Sequence, residues 1–81
     1  MHKVYVLKSE KDGNLYIGCT SDLDKRLIEH NLGKVLSTKA RRPFMLLYSE
    51  TFEDKYEAFN TERFYKTAIG KRVLKNKIEN L

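Results

Sequence analysis

Tryptophan is absent from the 81-residue chain, and cysteine and proline occur once each. The single cysteine, Cys19, excludes an intramolecular disulfide and any zinc site built on several cysteines. No apolar run approaches the ~18 residues of a membrane span, and no signal peptide begins the chain. We therefore expect a protein of the reducing cytoplasm that has no membrane partner.

Acidic residues are missing from two stretches that are rich in lysine and arginine. The whole chain carries a net charge of +5, and neither residues 34–42 nor residues 63–77 contain an acidic side chain. Such segregation favours a directed surface for a polyanion such as nucleic acid over an evenly charged coat. The alternative is a basic surface that has no such partner, because many small basic proteins bind no polyanion.

The length and composition predict one small globular domain over residues 1–81. A chain of this size buries roughly 60% of its unfolded surface, which suffices for a core with little margin. Hydrophobic residues make up 41% of the chain and charged residues 33%, a balance typical of folded domains and not of disordered chains.

Two short apolar segments separated by a turn predict a β-hairpin near the N-terminus. Residues 3–8 and 15–20 are rich in β-branched and aromatic side chains, and the Asp-Gly dipeptide between them is typical of hairpin turns. In the antiparallel register, Tyr5, Tyr16 and Gly18 share one face of the sheet. Two tyrosines beside a glycine leave room for a ligand to approach the backbone, with an ordinary aromatic cluster as the alternative.

A helix is predicted from Ser21, which can cap it, to about Asn31, with Gly33 ending it. Arg26 and His30 are four residues apart on this helix, so both lie on one flank beside its buried edge. An arginine in that position requires an anion, either a protein carboxylate or a phosphate. A lone histidine is more often structural than catalytic, and only its place beside Arg26 favours a catalytic role.

The second half of the chain predicts a basic loop, a strand and two helices. Residues 34–43 show no periodicity, whereas residues 44–52 are almost continuously apolar, which predicts a central strand covered on both faces. A helix over residues 56–69, stopped by Gly70, and a final helix over residues 72–80 complete the chain. The β-β-α-β-α-α order predicts a small α/β domain of the α+β type, with a three-stranded, mainly antiparallel sheet flanked by helices.

Glu62 lies where the helix over residues 56–69 should present apolar side chains. At helical spacing it falls on the same face as Phe59, Tyr65 and Ile69. A carboxylate on such a face must be paired, bound to a metal or neutralised. Two interpretations follow, a glutamate–arginine pair that stabilises the fold or a metal ligand.

The order of five side chains, Tyr5, Tyr16, Arg26, His30 and Glu62, resembles that of the GIY-YIG nuclease domain over essentially the whole chain. Tyr16-Ile17-Gly18 matches the second half of the family signature letter for letter. Lys3-Val4-Tyr5 stands where the family has Gly-Ile-Tyr. The chain is most similar to the short stand-alone members, which are related to the N-terminal nuclease domain of the excision-repair protein UvrC.

The resemblance implies a metal-dependent endonuclease that hydrolyses phosphodiester bonds, with DNA repair or recombination as its setting. In that family a single glutamate, here Glu62, holds one divalent ion, either Mg²⁺ or Mn²⁺. Arg26 would bind the phosphate, and Tyr5 and Tyr16 would flank the scissile group, one of them as the base or water-positioning residue. His30 completes the implied catalytic set.

The expected partner is nucleic acid, DNA in preference to RNA, gripped largely through its phosphates. The residues expected to contact it are Gly18, Lys34, Lys39, Arg41, Arg42, Lys66, Lys71 and Arg72. Two alternatives stay open, a non-catalytic nucleic-acid-binding module of the same fold and a purely structural interaction protein. No pattern in the sequence indicates an oligomeric state.

Overall fold

Three strands and three α-helices follow one another in the predicted β-β-α-β-α-α order in the computed structural model, which describes residues 1–81. All strand pairs are antiparallel, and none of the three α-helices has the length and apolarity that a membrane crossing requires. The elements are β1 (His2–Ser9), β2 (Leu15–Thr20), α1 (Leu23–Asn31), a 3-10 turn (Lys39–Arg41), β3 (Phe44–Phe52), α2 (Lys55–Tyr65) and α3 (Ala68–Glu79).

The β1–β2 hairpin has the register that alternation predicts. Tyr5 lies opposite Gly18 and Leu7 opposite Tyr16, so the two tyrosines and the glycine share one face of the sheet. The turn between the strands contains Gly13 with a φ of 74°, a conformation that favours glycine because it has no Cβ. The hairpin therefore places the tyrosines where the sequence predicted them.

The sheet has the strand order β2-β1-β3, which makes β1 the central strand. The prediction that residues 44–52 form the central, doubly covered strand is therefore wrong. On β3 only Phe44 is buried, whereas Met45 and Leu46 are 49% and 41% exposed. The strand covered on both faces is β1, where Val4 to Leu7 are at most 1% exposed. A continuous apolar run marks a strand without showing its place in the sheet, which depends on pairing between distant segments.

Two hydrophobic clusters cover the two faces of the sheet. The larger packs the side of β1 and β2 that carries Val6 and Ile17 against α2 and α3, and it includes Val4, Val6, Ile17, Ala58, Tyr65 and Leu74. The smaller contains Tyr5, Leu7 and Phe44, with Leu23 and Leu27 of α1 packed against it. Helix α1 therefore covers the face of the sheet that carries Tyr5 and Tyr16.

A buried phenol ties three elements together on the larger core. The Tyr65 hydroxyl of α2 donates to Glu50 of β3 and accepts from Lys77 Nζ of α3 at 2.7 Å. Lys77 Nζ also lies 3.2 Å from Glu50 Oε2. Because each of these polar groups has a partner, the network can remain partly buried without the cost of an unsatisfied donor or acceptor.

The start of α1 differs from the prediction by one residue, and its end agrees with it. Asp22, not Ser21, is the N-cap, and its side chain accepts the Lys25 N–H at 3.1 Å. Aspartate also suits this end of the helix because its negative charge interacts favourably with the positive end of the helix dipole. Gly33 follows the helix with a φ of 78°, as the prediction of a glycine stop requires.

The boundary between the last two helices lies earlier than predicted, between Tyr65 and Ala68, and Gly70 lies within α3 and does not stop the preceding helix. α2 ends at Tyr65, and Thr67 caps α3 by accepting the Gly70 N–H at 3.0 Å. A Cβ on Gly70 would collide with the Phe64 carbonyl oxygen, so this glycine permits a close turn between the helices. Ile69 consequently belongs to α3, where it is 68% exposed and no part of the Glu62 face.

Replacing Gly70 by alanine tests this packing role, because the substitution should destabilise the protein although alanine is the better helix former. Glycine to alanine within a helix normally stabilises by about 1 kcal/mol. Here the added methyl group must push backbone apart, so we expect Gly70→Ala to lose ~1–3 kcal/mol or more. Thermal or urea unfolding measures the change, with Lys71→Ala at the exposed neighbouring position as the control. A higher melting temperature for Gly70→Ala would contradict the close approach.

Candidate active site

Three of the predicted catalytic side chains meet on the sheet face beneath α1. Tyr5 comes from the central strand, Tyr16 from the edge strand, and His30 from the last turn of α1. The Tyr16 and His30 ring centroids are 5.0 Å apart, and the Tyr5 and His30 centroids are 5.9 Å apart, both edge to face. The geometry is that of a packed aromatic cluster.

Gly18 makes this cluster possible because it lies opposite Tyr5 on the neighbouring strand. A Cβ at Gly18 would collide with the hydroxyl end of the Tyr5 ring. The sequence predicted room for a ligand above this glycine, and in the structure the Tyr5 ring fills that room. Gly18 therefore acts through the position of Tyr5, and its predicted contact with nucleic acid stays a prediction.

His30 is completely buried and uses both ring nitrogens. Its Nε2 lies 3.0 Å from the Tyr5 hydroxyl oxygen, and its Nδ1 lies 2.8 Å from Thr38 Oγ1. Burial lowers the pKa of His30, and the nearby Arg26 cation lowers it further. The ring is therefore neutral at pH 7, with one nitrogen that donates and one that accepts.

The Tyr5 hydroxyl is shielded from solvent, and burial raises its pKa to about 12. The Arg26 guanidinium beside it opposes this rise, whereas the charge of Glu62 adds to it. Arg26 forms no well-aligned hydrogen bond with Tyr5, and its close contact is an ion pair with Glu29 at 3.5 Å. Tyr5 thus keeps its proton at neutral pH and is not available as a general base, and Arg26 keeps most of its donors free.

Glu62 of α2 is held by a neighbour on its own helix. Its carboxylate pairs with Lys66 Nζ at 2.8 Å and is 20% exposed, whereas the Lys66 side chain is 53% exposed. Of the two interpretations of Glu62, the glutamate–arginine pair does not occur, because Arg26 pairs with Glu29 instead. The Glu62 charge contributes to the raised pKa of both Tyr5 and Cys19, because a nearby carboxylate disfavours a further negative charge.

Glu62 could hold a divalent ion only as a single protein ligand. No group of three or more histidine, cysteine, aspartate or glutamate side chains converges to enclose a metal. One partly exposed carboxylate can still anchor an ion whose remaining ligands are waters and phosphate oxygens, which is the habit of Mg²⁺. The Lys66 ammonium already holds a positive charge against this carboxylate, and its exposure makes the pair easy to displace.

The basic residues predicted to bind nucleic acid divide into two groups. Arg41 is engaged within the protein, since its Nε pairs with Asp12 Oδ2 at 3.0 Å and its guanidinium lies over the Phe44 ring. These contacts attach the basic loop to the hairpin turn. The exposed group consists of Lys34, Lys39, Arg42, Lys66, Lys71 and Arg72.

Two residues that support the site escaped the sequence prediction. Asn31 joins the end of α1 to β3, donating from Nδ2 to the Phe44 carbonyl at 3.1 Å and accepting the Phe44 N–H at 2.7 Å. Thr38 contacts His30 from a loop without periodicity and is fully buried. Their roles depend on contacts between distant segments, and the only sequence signal was a polar residue next to His30 or within a long loop.

Glu62→Gln should change the free energy of unfolding by no more than ~1 kcal/mol, because an exposed i,i+4 ion pair contributes little. Glu50→Gln is the matched comparison, since the Glu50 side chain is 24% exposed, close to the 20% of Glu62, but binds Tyr65 and Lys77. We expect the larger loss from Glu50→Gln in urea unfolding. A loss of ~3 kcal/mol or more for Glu62→Gln would show that Glu62 belongs to a structural ion pair.

Comparison with known proteins places the chain in a family. A family model described as the GIY-YIG catalytic domain matches residues 1–77. A UPF0213 protein of Staphylococcus saprophyticus is 44% identical over 75 residues, covering 91% of this chain and 90% of that protein. A UPF0213 protein of Bacillus pumilus is 50% identical over 72 residues, covering 88% of this chain and 72% of that protein.

A solved structure has the same architecture. The solution NMR structure of a UPF0213 protein from Bacillus halodurans matches with a TM-score of 0.57 at 36% identity, covering 93% of this chain and 82% of that one. The family match includes the hairpin tyrosines, α1 with Arg26 and His30, and α2 with Glu62. The chain therefore belongs to the GIY-YIG nuclease family, among short stand-alone members of the UPF0213 type.

Proposed function

We propose that this protein is a metal-dependent endonuclease that hydrolyses phosphodiester bonds in nucleic acid, with DNA preferred to RNA. The observation that supports this most is the cluster in which the Tyr5 hydroxyl lies 3.0 Å from His30 Nε2 and beside Arg26. Phosphodiester hydrolysis requires a group that directs water, a cation on the phosphate and further positive charge for the transition state. The cluster and Glu62 supply residues for each requirement.

The two tyrosines have different environments, which supports different roles. Tyr5 is 1% exposed, its hydroxyl is engaged with His30, and its pKa is raised to about 12. Tyr16 is only half-buried and makes no hydrogen bond to the protein through its hydroxyl, so it can reach a water molecule. We assign Tyr16 as the residue that positions or deprotonates the attacking water and Tyr5 as part of its fixed surroundings.

Arg26 is the residue best suited to the phosphate. Its side chain is 37% exposed, and its ion pair with Glu29 at 3.5 Å leaves most of its five donors free. A planar guanidinium can bind two phosphate oxygens at once, which a lysine ammonium cannot do. Arg26 therefore orients the scissile phosphate against the tyrosine cluster.

Glu62 would hold the divalent ion, Mg²⁺ or Mn²⁺. When bound, such an ion supplies positive charge next to the phosphate oxygens, where negative charge develops during hydrolysis. Lys66 would release the carboxylate and become available to the nucleic acid, because its pair with Glu62 is exposed. A single carboxylate ligand does not discriminate between Mg²⁺ and Mn²⁺, so the metal that binds would depend on availability and on the coordination geometry that each ion prefers.

The exposed basic residues provide a grip on the backbone of the substrate. Contacts with phosphates are independent of sequence, so selection would come from the form of the nucleic acid. Cleavage selected by form suits the branched or damaged DNA of repair and recombination. We place the protein in the cytoplasm, where Cys19 remains reduced.

Cleavage of labelled nucleic acids with Mg²⁺ or Mn²⁺ tests the proposal directly. We expect Glu62→Gln and Arg26→Ala to abolish cleavage, because the first removes the ligand of the divalent ion and the second removes a positive charge from the phosphate. Loss of one such stabilising group typically costs ~10²–10³ in rate. Tyr16→Phe should lower the rate by ~10² or more, since it removes only the hydroxyl that directs water. Tyr5→Phe should also lower the rate strongly, because it breaks the bond to His30.

The matched control for the cleavage assay is Tyr56→Phe, which removes an exposed phenol from α2. Chelation of the metal should stop the reaction of the wild-type protein. Full activity of Tyr16→Phe would remove its assigned role, even if Glu62 proved essential. Binding without cleavage of any duplex, branched or single-stranded substrate would instead favour the non-catalytic module.

Binding of nucleic acid should weaken steeply with salt, because the phosphates release counterions when lysine and arginine replace them. We expect affinity to fall by roughly tenfold or more between ~50 and ~200 mM salt. Lys34→Ala should reduce the slope of this dependence by about 1, whereas Lys55→Ala, outside the proposed surface, should leave it unchanged. Fluorescence anisotropy with a catalytically silent Glu62→Gln background measures both. Affinity that is insensitive to salt would contradict the proposed grip.

A further inference from the structure

Three buried polar side chains form a chain of hydrogen bonds that runs from the candidate active site into the basic loop. Tyr5, His30 and Thr38 are each at most 1% exposed. The Tyr5 hydroxyl oxygen lies 3.0 Å from His30 Nε2, and Thr38 Oγ1 lies 2.8 Å from His30 Nδ1. Because the imidazole is buried and neutral, only one of its nitrogens carries a proton, and the partners decide which one.

The Thr38 end of the chain identifies the protonated nitrogen. Thr38 Oγ1 also lies 3.3 Å from the Val35 carbonyl oxygen, which can only accept. If the threonine hydroxyl donates to that carbonyl, Oγ1 is left to accept, and the proton between Thr38 and His30 must be carried by Nδ1. Nε2 then has no proton and offers its lone pair to Tyr5.

The Tyr5 end leads to the same assignment. The hydroxyl has two polar neighbours, His30 Nε2 and the guanidinium of Arg26. A guanidinium has donors and no acceptor, so the Tyr5 hydroxyl proton cannot be directed at Arg26. His30 Nε2 is the one acceptor within hydrogen-bond distance of it. The opposite tautomer would place an Nε2–H and a cation around a hydroxyl whose own proton had no partner.

We propose that Thr38 is a positioning residue of the active site, whose hydroxyl fixes His30 in the Nδ1–H tautomer so that bare Nε2 accepts the Tyr5 hydroxyl proton. The Tyr5 oxygen lone pairs then face Arg26 and the side on which substrate would bind. Thr38 performs this role without contacting substrate, and no proton is transferred in the resting protein. Its consequence for cleavage rests on the proposed nuclease function, whereas the tautomer does not.

The position of Thr38 also connects the site to the loop that carries Lys34 and Lys39. The hydroxyl is held at both sides, by the Val35 carbonyl of the loop and by His30 of α1. A loop displaced from this position would withdraw the acceptor from Nδ1 and release the constraint on the tautomer. The basic loop and the Tyr5 hydroxyl are therefore linked through one buried side chain.

Nitrogen NMR of the histidine rings tests the tautomer without any substrate. The chain has only two histidines, and His2 lies outside this network, so it serves as an internal reference. In ¹⁵N-labelled wild-type protein at pH about 8, above the ordinary histidine pKa, we expect His30 Nδ1 to be protonated and Nε2 to be bare. A wild-type spectrum in which His30 Nε2 carries the proton would overturn the proposal.

Two variants test whether the Thr38 hydroxyl fixes the tautomer of His30. Thr38→Ser keeps the hydroxyl and should retain the Nδ1–H tautomer, whereas Thr38→Val has nearly the same shape and should shift His30 toward Nε2–H. If Thr38→Val does not fold, Thr38→Cys, whose sulfur is only a weak acceptor, replaces it. A tautomer that does not respond to loss of the hydroxyl would show that Thr38 does not fix it.

Cleavage assays on the same variants test the consequence for the site. We expect Thr38→Val to lower kcat by ~10-fold or more with little change in KM, and Thr38→Ser to restore it, as for other residues that orient a functional imidazole. Unchanged kcat in Thr38→Val would overturn the positioning role. A wild-type protein with the expected tautomer and no cleavage activity would refute the proposed nuclease function and leave the hydrogen-bond assignment supported.

Discussion

The hydrogen bond between the Tyr5 hydroxyl and His30 Nε2 is the contact on which the candidate site depends. It joins the central strand to the last turn of α1 at 3.0 Å, and both side chains are shielded from water. A buried polar pair of this kind is costly unless every group is satisfied, so the surrounding chain must hold both partners closely. Gly18 provides the space for the phenol, and Asn31 holds the end of α1 against β3.

Each face of the sheet carries a buried tyrosine whose hydroxyl needs hydrogen-bond partners, and the partners differ between the two faces. On the side of α2 and α3, Tyr65 is satisfied by Glu50 and Lys77, and that network closes the larger core. On the side of α1, the phenol is satisfied by a histidine, and the arginine beside it keeps free donors. One network is therefore closed within the protein, and the other leaves donors of Arg26 without a protein partner. The two networks differ because the arginine beside Tyr5 has hydrogen-bond donors without a protein partner, whereas the groups around Tyr65 are all paired.

Glu62 and Arg26 illustrate why a charge near an apolar face need not be structural. The two were candidates for a stabilising ion pair, and each instead has a partner one turn away on its own helix. Such local pairs contribute little to stability and are readily exchanged for a ligand. Under the proposed function, these two charges would be free to meet a phosphate and a divalent ion, which is the arrangement that electrostatic catalysis favours.

The sequence by itself determined the order of the elements and the hairpin register, because these depend on local alternation and helical spacing. It also nominated five site residues from their order along the chain, and their roles stay predictions. Only the tertiary structure decided that β1 is central and that the turn between the last two helices lies directly after Tyr65. It also decided that Thr38 contacts His30 and that Arg41 pairs with Asp12. These facts depend on contacts between residues far apart in the chain or on a close backbone approach, and no local pattern encodes them.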